Sequence, residues 1–153
     1  MTEHKRASIT MAAFKSSKYA GVFSLCFIMF VMYVMTNILR LSFTNQLMLD
    51  HSNGRWYQFL TALFCHRDYM HLSGNLFFLY IFGRLIEEEE GMTGFLISFM
   101  VCGIGSNFCD YFLSPHGDYL SLGSSGAVFG LFTIALLIKF KMQLTSFLEL
   151  LIL

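Results

Sequence analysis

Long apolar runs alternate with short polar segments along this chain. The first uncharged run extends from Tyr19 to Leu39, which at about 1.5 Å per helical residue can cross a hydrocarbon core of about 30 Å. The pattern predicts an all-α, polytopic transmembrane helical bundle with four full spans and a partial fifth. The three further full spans are predicted over about Met70 to Ile86, Met92 to Leu113 and Ser125 to Ile138, and the partial fifth begins near Leu144.

The same pattern divides the chain into a polar N-terminal tail, residues 1–18, and one membrane domain, residues 19–153. The first apolar run is too long for the apolar region of a signal peptide, and Arg40 follows it where a small-residue cleavage site would stand. We therefore predict that this run is retained as a span. The last apolar run has only about half the length of a span, so we expect the membrane domain to be incomplete at its C-terminus.

Composition excludes a soluble globular protein. The 153 residues are 56% hydrophobic and only 13% charged, and a single core of this size cannot bury so much apolar surface. The formal net charge is zero, which gives no indication of a nucleic-acid partner. The cysteines form no C-x-x-C pair, so we expect them to pack as small apolar residues: Cys26, Cys65, Cys102 and Cys109.

Lysine and arginine are distributed unequally between the two sides of the predicted spans. Arg40, Arg55 and Arg67 fall on one side, and the larger set on the other side comprises Lys5, Arg6, Lys15, Lys18, Arg84, Lys139 and Lys141. The positive-inside rule then favours an N-terminus on the cytoplasmic or stromal side. The segments 40–69 and 114–124 are expected on the opposite, outer side.

Polar residues inside the apolar runs are informative because each is costly in lipid unless it is paired or faces a cavity. His71 and Asn75 are four residues apart on one predicted helix, so they project from the same face near its outer end, and both can donate hydrogen bonds. Two interpretations remain open at this stage: hydrogen bonding to a neighbouring helix, or chemistry in a cavity.

The stretch Gly123-Ser124-Ser125-Gly126 begins another apolar run and also has two interpretations. Gly126 and Gly130 form a small-xxx-small face that favours close helix packing. A serine at the start of a helix is instead a candidate nucleophile, since free backbone N–H groups around it can bind an oxyanion. A G-x-S-x-G nucleophile elbow is excluded, because Ala127 occupies the position of the second glycine.

Taken together, "FCHRDYMHLSGNLFFLYIFGRLIEEEEG" and "GSSGAVFGLF" resemble the rhomboid intramembrane serine proteases. The resemblance covers about Trp56 to Leu153 and includes two spaced motifs, H-x-x-x-N and G-x-S-G-A. The sequence of these motifs most resembles the plant and algal plastid branch of the family. This resemblance favours a multi-pass protein of a chloroplast membrane.

The resemblance implies a role for each matched position. Ser125 matches the nucleophile, and Gly123 belongs to the active-site loop. His71 and Asn75 match side chains that stabilise the oxyanion together with the Ser125 backbone N–H. His66, Glu87, Gly126 and Gly130 are expected to be structural, and Glu88 to Glu90 a solvated helix end. The implied partners are the lipid bilayer and transmembrane protein substrates, with no metal or organic cofactor.

Two departures from the family pattern stand out. Tyr57-Gln58 replaces a Trp-Arg pair that many relatives carry, so an arginine ion pair is not available there. The family's general base is a histidine on a later helix, and these 153 residues contain no histidine after Ser125. His51 and His116 are the remaining histidines in outer segments, and His116, nine residues before Ser125, has no evident orienting partner in the sequence. We therefore expect this chain to be inactive or nearly so, and a non-proteolytic protein that binds transmembrane clients, as a chaperone or adaptor, is the alternative.

Overall fold

The computed structural model describes residues 18–114 and 117–152, so the predicted tail lies outside the described residues except for Lys18. Three helices in these ranges are long and apolar enough to cross a membrane, which confirms the predicted all-α membrane bundle. The elements in chain order are helix α1 (Ala20–Tyr33), which continues as a wider π-helical turn (Val34–Ile38), a 3-10 turn (Ser42–Leu47), strand β1 (Leu49–Asp50), helix α2 (Gln58–Thr61), a 3-10 turn (Ala62–Phe64), helix α3 (Tyr69–Leu113), strand β2 (Leu120–Ser121) and helix α4 (Ser125–Ile152).

Helix α3 is two helices joined by a kink at Gly91. This glycine has φ 74° and ψ 172°, a conformation that residues with a Cβ rarely adopt. The kink separates arms of residues 69–90 and 92–113, close to the second and third predicted spans. One glycine between two apolar runs thus provides the turn between two membrane-length arms.

Helix α4 differs from the sequence-based boundaries. A fourth span ending at Ile138 and a separate fifth segment from Leu144 were expected, but one uninterrupted helix covers both regions. The polar stretch between them reads Lys139-Phe-Lys-Met-Gln143 and has neither proline nor glycine. Lysine, methionine and glutamine are good helix formers, so their polarity does not end the helix.

The buried core lies where α1, both arms of α3 and the start of α4 meet. It contains Val22 and Met29 from α1 and Leu131 from α4, all fully buried, together with Leu79, Phe95 and Phe99 from the two arms of α3. Large apolar side chains on the outer faces remain exposed, for example Phe27 at 67% and Leu137 at 63%. Exposed apolar surface on this scale is what a bilayer covers.

The connecting segments meet at one end of the bundle. Strand β1, which follows α1, pairs antiparallel with β2, which precedes α4, and Leu49 lies opposite Ser121. The backbone N–H of His51 also donates to the Tyr119 carbonyl at 3.2 Å. These bonds tie the segment leading to α4 to the loop between α1 and α3, and so fix the approach to Ser125.

Candidate active site

The structure separates the two neighbouring serines. Ser124 is fully buried, its Oγ lies 3.3 Å from His66 Nε2, and its carbonyl accepts the Val128 N–H at 2.9 Å. Ser125 is exposed at the first position of α4, and its Oγ makes no hydrogen bond within residues 18–114 and 117–152. Ser124 is therefore engaged in packing, while the hydroxyl of Ser125 is available to a ligand.

Asp68 fixes the start of α3, and this position sets where His71 and Asn75 lie. Its Oδ1 accepts the His71 backbone N–H at 2.8 Å, which is a helix N-cap interaction. Asn75 is buried, and its Nδ2 donates one hydrogen bond to the His71 carbonyl at 2.9 Å. An amide nitrogen has two hydrogens, so a second N–H of Asn75 is left for another acceptor.

Gly123 lies directly against the His71 ring. A Cβ at this position would be 2.7 Å from His71 Nε2, and the φ of 118° also favours glycine. The Gly123 backbone N–H donates to the Ala62 carbonyl at 2.9 Å, which anchors the loop from the other side. The glycine thus allows the imidazole to approach the backbone one residue before the serine pair.

His71, Asn75 and Ser125 share one cavity of about 490 Å³ between α4 and the first arm of α3. Its remaining wall is largely apolar and includes Met70, Phe78, Phe82, Val128, Phe129 and Phe132. A few convergent polar groups in an apolar cavity are typical of a ligand site. The structure therefore brings the three residues expected to carry chemistry to one place.

The start of α4 adds hydrogen-bond donors to this cavity. In the first turn of a helix the N–H groups have no intrahelical acceptor, and Ser125, Gly126 and Ala127 occupy that turn. The helix dipole gives this end a partial positive charge. These backbone N–H groups can therefore donate hydrogen bonds to an oxygen that gains negative charge beside Ser125.

His66 is buried behind the site. Its backbone carbonyl accepts the Asn37 side-chain amide at 2.9 Å, and its ring lies 5.2 Å from the His71 ring between centroids. Burial, together with the nearby His71, lowers the pKa of His66 to about 4, so its ring is neutral near pH 7. Sequence reasoning did not single out Asn37, although a polar residue inside the first apolar run was the available signal.

Glu87 lies at the opposite end of the first arm of α3 and contacts the start of α1. Its Oε1 accepts the Gly21 N–H and its Oε2 the Val22 N–H, each at 2.9 Å. The carboxylate satisfies two N–H groups that α1 leaves free, and its charge suits the helix dipole. Glu88, Glu89 and Glu90 are exposed, and Glu88 forms an ion pair with Lys18 at 2.9 Å.

Gly126 and Gly130 pack against the second arm of α3. A Cβ on Gly126 would overlap the Ser106 hydroxyl, and a Cβ on Gly130 would lie 2.5 Å from both Cβ and Sγ of Cys102. Cys102 and Ser106 are themselves four residues apart, so small residues face small residues across the crossing. The packing interpretation thus fits the two glycines, while Ser125 faces the cavity.

His51 lies elsewhere, at the β1–β2 end of the bundle. It is 1% exposed, its Nε2 lies 2.9 Å from Ser121 Oγ and 3.2 Å from Asp110 Oδ2, and its ring stacks on Tyr119. His51 is therefore oriented by Asp110 and Ser121. His116, the other histidine considered as a base, lies outside the described residues.

Gln58 forms hydrogen bonds at the position where an arginine could form an ion pair. Its Oε1 accepts the Arg55 N–H at 2.9 Å and its Nε2 donates to the Gln46 carbonyl at 3.1 Å. These bonds hold the loop that leads from β1 to α2. The uncharged side chain therefore satisfies backbone groups in this segment.

The chain is similar to known proteins over most of its length. A family model described as the Rhomboid domain matches residues 53–152. The chain is 44% identical over 133 residues to "Rhomboid-like protein 11, chloroplastic" of Arabidopsis thaliana, covering 87% of this chain and 47% of that protein. It is 33% identical over 97 residues to "Putative rhomboid protease YdcA" of Bacillus subtilis, covering 63% and 48% respectively. The chain thus spans about half the length of these curated relatives.

Proposed function

This chain belongs to the rhomboid family, and on that premise we propose that it is the nucleophile-bearing part of an intramembrane serine endopeptidase. The observation that carries the proposal is the exposed hydroxyl of Ser125, which lines one cavity with His71 and Asn75. The substrates we propose are transmembrane proteins, cleaved within or near their membrane spans.

In the proposed reaction, Ser125 Oγ attacks the carbonyl carbon of the scissile peptide bond while its proton passes to a base. The carbonyl π electrons move onto oxygen, and the tetrahedral intermediate then collapses with release of the protonated amine. Water hydrolyses the resulting acyl-enzyme and regenerates Ser125. The base returns the proton to the leaving nitrogen as the C–N bond breaks, and no step changes an oxidation state, so no redox cofactor is required.

We assign oxyanion stabilisation to the Ser125 N–H, the free N–H of Asn75 and His71. The first-turn position of Ser125 and the shared cavity support this assignment. Donors of this kind act most strongly on charge that develops in the transition state, and loss of one typically costs about 10² to 10³ in turnover.

The apolar wall of the cavity supports a membrane-derived substrate. Phe78, Phe82 and Phe132 line the cavity together with the polar groups. A substrate segment that leaves the bilayer keeps its apolar side chains out of water there, while its carbonyl faces Ser125.

No residue in the described part of the chain is assigned as the proton acceptor. Among the described histidines, His51 is bound to Asp110 and Ser121, and His66 is buried beside Ser124. The family resemblance implies a base on a later helix, and we propose that source.

One alternative is a non-proteolytic protein that binds transmembrane clients in the same cavity. It is favoured by the observation that, within the described residues, no base contacts the Ser125 hydroxyl. For either function we propose a chloroplast membrane as the location, since the Arabidopsis relative is named chloroplastic.

A fluorophosphonate probe applied to the full-length gene product tests the proposal. We expect labelling that Ser125→Ala abolishes and that Ser124→Ala, the neighbouring buried serine, preserves. Labelling that survives Ser125→Ala would show that another serine is the nucleophile. The non-proteolytic alternative predicts a different pair of results. The probe would not label the protein, and a transmembrane client would crosslink to it in a way that Phe82→Ala weakens.

A further inference from the structure

A second cavity, of about 700 Å³, lies at the same end of the bundle and is also lined by His66. Its polar lining includes Thr36 and Arg40 at the end of the first span and Arg67 just before α3. Because residues 39–68 connect these two spans, both arginines lie at one membrane boundary.

Both arginines in this cavity lack a side-chain partner among residues 18–114 and 117–152. Neither Arg40 nor Arg67 makes an ion pair or side-chain hydrogen bond to the described part of the chain. The third arginine of the same connecting segment behaves differently, since Arg55 lies outside the cavity and donates to the Tyr57 hydroxyl at 3.0 Å. Two unpaired guanidinium groups at one cavity favour an anionic ligand.

Other polar groups of the cavity are compatible with such a ligand. Asn45 lines the cavity, and its side-chain amide can donate a hydrogen bond to a ligand oxygen. The carboxylate of Asp118 also lines the cavity, so a ligand that carries hydroxyl groups as well as an anion fits better than a bare anion.

The surroundings of the cavity are those of a membrane interface. Ile38 and Leu39, next to Arg40, are 64% and 58% exposed, and Trp56 of the same connecting segment is 86% exposed. Tryptophan is enriched at the level of lipid headgroups, and Ile38 and Leu39 lie where the first apolar span ends. An anion bound by the two arginines would therefore be at headgroup depth.

We propose that this cavity binds the headgroup of an anionic lipid, with Arg40 and Arg67 on the phosphate or sulfonate and Asp118 accepting from a headgroup hydroxyl. Phosphatidylglycerol has both features and serves as the probe. Ser125 does not line this cavity, although Arg67 also lines a neighbouring cavity of about 750 Å³ that includes Ser125. The proposal does not depend on proteolysis.

The test is a titration of short-chain phosphatidylglycerol and phosphatidylcholine into the purified chain in neutral detergent, with bound lipid counted by native mass spectrometry. We expect tighter binding of phosphatidylglycerol, weakened by added salt. Arg40→Gln and Arg67→Gln should each weaken it about tenfold, as expected for loss of one charge-assisted contact. Arg55→Gln is the matched control and should leave binding unchanged.

Equal binding of the two lipids would overturn the proposal, and so would an equal loss of phosphatidylglycerol affinity in Arg55→Gln and Arg40→Gln. Displacement of the lipid by inorganic phosphate at equal concentration would also overturn it, because it would indicate a site for free anions. Arg→Lys variants at positions 40 and 67 guard against misfolding. They keep the charge and should retain part of the preference for phosphatidylglycerol, whereas a purely structural defect would not distinguish Lys from Gln.

Discussion

The imidazole of His71 occupies the space that a side chain on Gly123 would need. A Cβ there would lie 2.6 Å from His71 Cε1, well inside van der Waals contact. Since His71 shares a cavity with Ser125, the size of residue 123 determines where a proposed oxyanion donor lies relative to the nucleophile. This relationship leads to the first prediction.

Gly123→Ala should slow fluorophosphonate labelling of Ser125 in the full-length product by about 10²-fold, because His71 must move away from the reacting group. The positive φ at this position adds strain of about 1 to 3 kcal/mol to the folded state. Labelling rates and thermal unfolding in detergent measure the two effects separately.

Gly105→Ala is the control for this variant. Gly105 lies in α3 with open space around it, so alanine should leave labelling unchanged and stabilise the helix by about 0.5 to 1 kcal/mol. Unchanged labelling in Gly123→Ala would mean that the position of His71 does not matter for attack.

The membrane elements could be predicted from local sequence pattern, whereas the site shared by Ser125, His71 and Asn75 was implied by the family resemblance. Uncharged length identifies a span, and the four-residue spacing of His71 and Asn75 places them on one helix face. The contacts of His51 could not be predicted in this way. Asp110 and Ser121 are distant in sequence, and only the β1–β2 pairing brings them to His51.

The boundaries of α4 show a second limit of sequence reasoning. Lys139 and Lys141 suggested the end of a span because charge is costly in lipid, yet charge does not break a helix. Backbone continuity and membrane boundaries are separate properties, and only the first is visible in the structure.

The second prediction concerns pH and His66. Its pKa is lowered from 6.5 in the unfolded chain to about 4 in the fold, so the unfolded state binds the proton more readily. The lowered pKa of His66 makes the free energy of unfolding depend on pH by about 3 kcal/mol in total. This contribution to stability is fully present above about pH 6.5 and is lost as the pH falls towards 4. Chemical unfolding in detergent at several pH values measures it.

His66→Gln provides the comparison for this pH effect, because glutamine does not titrate and can still hydrogen-bond Ser124. The free energy of unfolding of the variant should depend less steeply on pH between 4 and 6.5. Identical pH profiles for the two proteins would exclude His66 as the titrating group.

The third prediction concerns Glu87 and the start of α1. Glu87→Ala removes the acceptor of both the Gly21 and the Val22 N–H, and we expect a loss of about 2 to 3 kcal/mol in the free energy of unfolding. Glu87→Gln keeps one acceptor oxygen and should lose less. Glu89→Ala, at an exposed position of the same helix end, should change stability by no more than about 0.5 kcal/mol. Equal effects at positions 87 and 89 would contradict a capping role.

The fourth prediction tests the close crossing of α4 and the second arm of α3. Gly130→Ala places a methyl group 2.5 Å from Cys102 Cβ and Sγ, so the helices must separate, at a cost of about 1 to 3 kcal/mol. Cys102→Gly opens space for that methyl group, although a glycine within a helix itself costs about 1 kcal/mol. The double variant should therefore be more stable than the sum of the single effects, with a coupling of about 0.5 to 3 kcal/mol. Thermal unfolding of all four proteins in one detergent measures this coupling, and strict additivity would show that Gly130 does not pack against Cys102.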